Sequence, residues 1–153
     1  MIFGYAVLDD YPLLKEIRYS THKMHYENEP KYFKEEDNFF TINYYKDKLD
    51  KNQIYKLEVE NEIIGYVMIK DIEYKNDAMI RDQRILMIEE IAIVNKYQNK
   101  GFGKEAMKKI EVYAQKNGYT SIELNVWGFN KIAMDFYQRL GMKISRIRME
   151  KRL

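Results

Sequence analysis

Residues 91–104 read IAIVNKYQNKGFGK. The stretch passes from an apolar run through a short polar segment to Gly101 and Gly103, where a helical pattern begins. Glycine lets the backbone approach a bound group closely, and the first turn of a helix offers unpaired N–H groups with a partial positive charge. Lys100 and Lys104 add further positive charge. The stretch therefore predicts a site for an anion such as a phosphate group.

The residues alone permit two other interpretations of the glycines. One is a tight turn without a ligand. The other is a dinucleotide-binding loop, because Gly101, Gly103 and Ala106 fit G-x-G-x-x-G/A and Glu123 follows at the distance of a ribose-binding acid. Two features count against that loop: polar residues 95–100 separate the glycines from their strand, and Glu123 interrupts a strand instead of ending it. The spacing of an ATPase phosphate loop is absent.

The periodicity of apolar residues predicts an α/β fold over one domain, residues 1–153, without an internal linker. Strand-like patterns lie at residues 2–8, 54–59, 63–74, 85–94, 120–127 and 142–153. Helical patterns run from Pro12 to Pro30, from about Asp37 to Leu49, from Phe102 to Gly118 and from Asn130 to Gly141. The predicted order is β-α-α-β-β-β-α-β-α-β, a single-domain sandwich with a mixed sheet.

A second motif lies downstream, at residues 130–142, which read NKIAMDFYQRLGM. Residues 91–104 resemble the acetyl-CoA signature of the GNAT N-acetyltransferases, in which a strand and a polar turn precede [Q/R]-x-x-G-x-[G/A] and a helix. Residues 130–142 are similar to the N-x-x-A-x-x-F-Y-x-x-x-G-F segment of that family, with Met142 in place of Phe. The resemblance covers nearly the whole chain and implies a GNAT-like fold and an acetyl-CoA-dependent N-acetyltransferase.

The resemblance also implies where acetyl-CoA, the expected cosubstrate, would bind. Backbone N–H groups of the glycine loop would hold its diphosphate, the loop being Gln98, Asn99, Lys100, Gly101, Phe102, Gly103 and Lys104. The strand Ile91-Ala92-Ile93 would bind the pantetheine arm, with the N–H of Ile91 as oxyanion donor. Asn130 would contact CoA or orient the last helix, a role that is compatible with capping that helix. No metal is expected.

Acetyl transfer to an amine needs an activated acetyl group, which the thioester supplies, and groups that move protons. By resemblance, Tyr137 is the acid that protonates the leaving thiolate. Glu90 and Glu89 are the candidate bases, because a carboxylate can take the proton of the amine directly or through water. Strand alternation places them on opposite faces unless a bulge intervenes, as the family implies, and an ion pair is the alternative role for each. Some family members carry the acid further upstream, where this chain has Met87.

Composition excludes several other kinds of chemistry. The chain has no cysteine, so it has no disulfide, no thiolate metal site and no cysteine acyl carrier, and we expect direct transfer in a ternary complex. The two histidines, His22 and His25, lack metal-ligand spacing. A net charge of +2, with basic and acidic residues interleaved, argues against a nucleic-acid partner. Without a signal peptide or a membrane-length apolar run, the expected location is the cytoplasm.

The acceptor amine is expected to bind between the first two helices and the loop at 75–83. Aromatic and acidic residues in this part of the chain favour a cationic amine, either a small molecule or a peptide. Two alternative functions stay open, a non-catalytic CoA-binding module and a Rossmann-type dinucleotide-binding enzyme. The C-terminal pattern at 145–153 is free to pair across subunits, so a homodimer is one option.

Overall fold

A computed structural model describes residues 1–36 and 38–152. The strands are β1 (Ile2–Tyr5), β2 (Ile54–Val59), β3 (Glu62–Tyr74), β4 (Gln83–Ile93) and β5 (Ser121–Leu124). The helices are α1 (Tyr11–Asn28), α2 (Ile42–Asp50), α3 (Phe102–Lys116) and α4 (Lys131–Arg139). The strands form one sheet in the order β1-β2-β3-β4-β5, antiparallel except for the parallel pair β4 and β5. This confirms the predicted mixed α/β fold.

The structure differs from the predicted elements in several places. The strand predicted at 2–8 ends at Tyr5, and the strand predicted at 120–127 extends only from Ser121 to Leu124. Glu123 is therefore the next-to-last residue of its strand, and its position does not argue against a dinucleotide loop.

The start of α2 is not near residue 37 but at Ile42, because the side chain of Thr41 caps the helix and accepts a hydrogen bond from the N–H of Tyr44 at 3.2 Å. Asp37 itself lies outside the described residues, as does Leu153. Between 143 and 152 the described chain forms no strand, so the last predicted β element is not seen there.

Two apolar layers cover the two faces of the sheet. The layer below α3 and α4 contains buried residues of β2, β3 and β4 together with Ala106, Met107, Ile110 and Ala114 of α3. This spacing gives α3 one apolar side. The opposite layer joins the sheet to α1 and α2 through Leu14, Ile17, Phe40 and Tyr45. None of the described helices is long and apolar enough to span a lipid bilayer.

A gap between β4 and β5 positions the candidate site. The two strands pair from Ile85 with Ser121 to Ile88 with Leu124. Beyond Ile88, β4 continues to Ile93 beside β3 alone. The chain after Leu124 leaves the sheet, so β4 keeps a free edge over its last residues. In a parallel sheet such a separation leaves backbone groups that a ligand can use.

A β-bulge lies at the start of this gap. Met68 pairs with Glu90 whereas the next residue, Ile69, pairs with Ile88, so Glu89 is the extra residue on β4. A bulge resets the alternation of side chains along the strand. It therefore changes which face of the sheet the two neighbouring carboxylates reach.

Candidate active site

The loop before α3 presents a row of backbone donors. In the described residues, the N–H groups of residues 99–104 make no hydrogen bond to protein atoms. The first bond of α3 is made later, from the N–H of Glu105 to the carbonyl of Gly101 at 3.1 Å. Such a row at a helix N-terminus is suited to an anion with several oxygens, such as a diphosphate.

Local geometry explains why glycines and polar residues form this loop. Asn99 and Gly101 both have left-handed backbones, with φ of 59° and 88°, and Gly101 is the N-cap of α3. The amide of Gln98 donates to the carbonyl of Ile93 at 2.8 Å, and its backbone N–H donates to Asn95 at 3.1 Å. Gln98 thus ties the loop to the end of β4, and the unpaired donors begin at the next residue.

The same loop lies against both β4 and α4. A Cβ atom added to Gly103 would lie 3.2 Å from the ring of Phe136 and 3.9 Å from Ile93. Glycine at this position therefore allows the first turn of α3 to approach both elements closely. As a result, the donor row, the free edge of β4 and the residue before Tyr137 meet in one region.

The free edge of β4 carries backbone groups that face the gap. The N–H of Val94 donates to the carbonyl of Ile64 and so points toward β3. Because N–H groups alternate along a strand, those of Ile91 and Ile93 point the other way, toward the gap. The bond from Gln98 to the carbonyl of Ile93 agrees with this direction. The side chains of both isoleucines pack against the core below α3 and α4. Ala92, between them, is buried on the opposite face.

The bulge brings both carboxylates to the side of α1 and α2. Glu89 forms an ion pair with Lys48 of α2, a lysine whose side chain is only 9% exposed. Glu90 accepts a hydrogen bond from Arg18 of α1, with 2.9 Å between Nε and Oε2, and its other oxygen accepts one from the hydroxyl of Tyr66. The bulge interrupts the alternation of side chains along β4, so both carboxylates lie on the same side of the sheet. Each of them has a cationic partner.

Arg18 is a site residue that the sequence reasoning missed. Its guanidinium lies over the rings of Phe39, Phe40 and Tyr44, at 5.2, 4.7 and 5.1 Å from their centroids. Burial is the largest single effect and works against its charge, but Glu90, Tyr66 and Tyr44 together outweigh it, so the pKa of Arg18 is raised. One guanidinium nitrogen, Nη1, is buried without a hydrogen-bond partner in the described residues.

Tyr137 of α4 contacts the core layer that also includes Ile91 and Ile93. Its ring lies 5.1 Å from that of Phe136, and burial raises the pKa of its phenol to about 12. The hydroxyl makes no hydrogen bond among the described residues. The phenol is therefore protonated at neutral pH and has a proton to donate.

An aromatic cluster joins the end of α1 to the segment between β5 and α4. Its members, hereafter the aromatic cluster, are His25, Tyr32, Phe33, Trp127 and Phe129. Trp127 lies 4.8 Å from Tyr32 and 5.0 Å from Phe33, measured between ring centroids. The cluster places Trp127 beside the residues that follow α1.

The remaining predicted site residues have identifiable positions. Asn130 is the N-cap of α4, and its Oδ1 accepts a hydrogen bond from the N–H of Ala133 at 3.0 Å. Phe102 packs on Tyr97, with 5.8 Å between ring centroids, and the Nζ of Lys100 lies 5.6 Å from the Tyr97 ring. Lys104 is exposed. Glu123 pairs with Arg146 at 3.6 Å.

The described part of the chain contains no group of three or more His, Asp or Glu side chains that could hold a metal ion. His22 is bound through Nε2 to the carbonyl of Lys34 at 2.9 Å.

Comparison with known proteins identifies the family. Residues 14–142 match the acetyltransferase (GNAT) family. The chain is 30% identical over 111 residues to an uncharacterised N-acetyltransferase of Methanocaldococcus jannaschii. The aligned residues make up 69% of this chain and 48% of that protein. The chain is 29% identical over 103 residues to N-alpha-acetyltransferase 50 of Danio rerio, covering 66% of this chain and 58% of the relative.

A solved structure supports the fold over the full length. A tetramutant of the BH1408 protein from Bacillus halodurans superposes with a TM-score of 0.94 at 21% identity, covering 100% of both chains. The chain spans about half the length of the curated relatives it matches. With the family match spanning residues 14–142, the chain belongs to the acetyltransferase (GNAT) family.

Proposed function

We propose that this protein is an acetyl-CoA-dependent N-acetyltransferase that moves the acetyl group directly to an amine in a ternary complex. The observation that carries the proposal is the row of unpaired N–H groups at residues 99–104 beside the free edge of β4. A diphosphate fits the row, and an amide-containing arm fits an open strand edge. Membership of the GNAT family supports the same cosubstrate.

The backbone would perform most of the binding. Residues 99–104 hold the diphosphate, and Gln98 shapes the loop through its bonds to Ile93 and Asn95. The strand Ile91-Ala92-Ile93 binds the pantetheine arm, and the N–H of Ile91 polarises the thioester carbonyl. A single donor of this kind contributes about 2.7–4 kcal/mol to transition-state stabilisation.

Side chains would manage the protons. Glu90 draws the acceptor ammonium into the gap and takes its proton directly or through water, with Glu89 as the alternative base. Tyr137 protonates the sulfur as the C–S bond breaks. The partly buried phenol supports this role, because its raised pKa of about 12 keeps it protonated at neutral pH.

We assign the acceptor to the class of cationic amines, small molecules or peptides. Glu90 supplies negative charge on the α1 side of the sheet, and the aromatic cluster supplies ring faces that attract a cation. Loop residues 75–82 are held by their own contacts, with Asp77 accepting hydrogen bonds from the N–H groups of Met79 and Ile80.

Thioester release from acetyl-CoA across a panel of amines tests the proposal. We expect acetyl-amine formation with at least one polyamine, aminoglycoside or peptide N-terminus. Calorimetry should show binding of acetyl-CoA and none of NAD. Binding without transfer to any amine would leave a CoA-binding module, and NAD binding would favour a dinucleotide enzyme. Mass spectrometry after mixing with acetyl-CoA alone should show no acetyl-enzyme, because the transfer is direct.

Gly101→Ala should weaken acetyl-CoA binding at least tenfold. The alanine must keep a left-handed backbone at φ of 88°, which costs about 1–2 kcal/mol, or move the donor row. Gly118→Ala is the matched control. It ends α3 with φ of 73°, and no atom lies within 4 Å of the added Cβ at either glycine. Both variants should lose similar unfolding free energy, and calorimetry should find weaker binding only for Gly101→Ala. Equal affinities would contradict the loop assignment.

A homodimer is part of the proposal. In the described residues β5 pairs with β4 alone, so its other edge is open. The segment that follows α4 exposes Ile144, Ile147 and Met149. An open sheet edge next to an unpaired apolar segment suits exchange of tails between two copies. Light scattering should give twice the chain mass for the full chain and a monomer for a chain ending at Met142. A monomeric full chain would rule out the exchange.

A further inference from the structure

The two carboxylates near the gap are already bound to protein cations. Glu90 accepts from Arg18 through one oxygen and from Tyr66 through the other, and Glu89 is paired with Lys48. Both oxygens of Glu90 and one oxygen of Glu89 therefore already accept bonds from protein donors. A neighbouring group with unbound nitrogens can take up the proton of the amine alongside these carboxylates.

His25 lies on the same side of α1 as Arg18, the residue that binds Glu90. It follows Arg18 by seven residues, which places both side chains on one side of the helix about two turns apart. The ring of Phe33 stacks on it at 5.3 Å, and that of Phe129 meets it edge-on at 6.0 Å. The aromatic cluster thus fixes the imidazole between α1 and the segment that leaves β5.

The nitrogens of His25 are free to exchange protons. Among the described residues they make no hydrogen bond, and the side chain is half-buried, so water can reach it. His22, one helical turn earlier, differs because its Nε2 is bound to the carbonyl of Lys34.

Burial favours the neutral form of His25, which can accept a proton. Burial lowers its pKa below the usual value near 6.5, Glu90 on β4 raises it, and His22 on the same helix lowers it further. Phe33 and Phe129 are uncharged. The carbonyls at the end of α1 also favour the cation, but burial has the largest effect.

We propose that His25 receives the proton that the acceptor ammonium loses beside Glu90, directly or through water, and releases it to solvent. The inference rests on the proposed acetyl transfer. The R–NH3⁺ group loses one proton, which Glu90 or a water passes on to the imidazole, and the free amine forms the C–N bond as the C–S bond breaks. Tyr137 gives its proton to the thiolate and regains one from the acetylated nitrogen. The net products are the amide, CoA thiol and one proton.

An NMR titration of the whole chain tests the coupling without using activity. The chain has two histidines, so His22→Gln leaves the imidazole of His25 as the sole source of histidine signals. We expect His25 to titrate below pH 6.5 in that variant. Adding Glu90→Gln should lower its pKa further, because the charge of Glu90 favours the imidazolium. An unchanged pKa would overturn the coupling, and a pKa above 6.5 would overturn the neutral imidazole.

The pH profile of kcat/KM tests the proton transfer itself. His25→Gln should lower kcat/KM by about 10²-fold, remove the acidic limb of the profile and respond to added imidazole. His22→Gln, the control, should keep the wild-type plateau and an acidic limb, which lies at slightly higher pH because His22 no longer lowers the pKa of His25. A His25→Gln variant that retains the acidic limb would disprove the role of His25. Wild-type protein that is inactive on every amine would instead disprove the proposed function, and the NMR result would stand by itself.

Discussion

The variant Tyr137→Phe is expected to fold and bind acetyl-CoA normally but to lose about 10²-fold or more in kcat. Phenylalanine keeps the ring that packs on Phe136 and the core, and it removes only the hydroxyl. Since that hydroxyl has no hydrogen-bond partner among the described residues, its loss leaves no buried group unpaired. The defect should therefore appear in turnover, where the leaving thiolate lacks its proton.

The pH dependence of turnover gives a second measurement of the same role. Burial raises the pKa of Tyr137 to about 12, so the phenol loses its proton only above that pH. An acid that is protonated below its pKa is fully active across neutral and mildly alkaline solution. The wild-type kcat should accordingly show no alkaline decline caused by Tyr137 below about pH 11.

Tyr113→Phe is the matched control. Tyr113 lies on α3, away from the donor row. Its hydroxyl accepts a hydrogen bond from the hydroxyl of Tyr55 at 2.8 Å. Removing it should cost about 1 kcal/mol of unfolding free energy and leave kcat unchanged. If Tyr137→Phe also keeps the wild-type kcat, another group or water protonates the thiolate.

Features with a local cause could be predicted from the sequence. The alternation at 54–59 gives β2 its observed bounds, and Asn130 caps α4 as its position before a helical run indicates. The glycine loop is also local, because its left-handed residues and the helix behind it are neighbours in sequence. These elements depend on backbone preferences and on hydrogen bonds to nearby residues.

Features that depend on distant residues could not be predicted in the same way. The partner of Glu90 is Arg18, which lies 72 residues away in the chain. The bulge at Glu89 arises from the pairing of β3 with β4, and the sequence of either strand by itself does not indicate it. A usable signal was the position of Arg18, four residues after the buried Leu14 and next to Ile17, since a charge on an apolar helix face needs a partner.

Gly65→Ala should be the most damaging small substitution in the sheet. The added Cβ would lie 2.2 Å from the carbonyl oxygen of Ala92 and 3.1 Å from the Cα of Ile93. Both atoms belong to the backbone of β4, so no side-chain rotation relieves the clash. Overpacking by a single group costs about 1–3 kcal/mol where side chains can move, and we expect about 3 kcal/mol or more here.

Gly4→Ala is the control for that loss, because Gly4 also lies in a strand and the nearest atom to its added Cβ is at 3.7 Å. Urea denaturation should place Gly4→Ala within about 1 kcal/mol of the wild type and Gly65→Ala well below it. In any Gly65→Ala protein that still folds, β3 and β4 must move apart next to Ala92. The free edge that carries the N–H groups of Ile91 and Ile93 would then shift, and acetyl-CoA affinity should fall together with stability. Wild-type stability for Gly65→Ala would show that the two strands lie further apart at this point than the 2.2 Å contact requires.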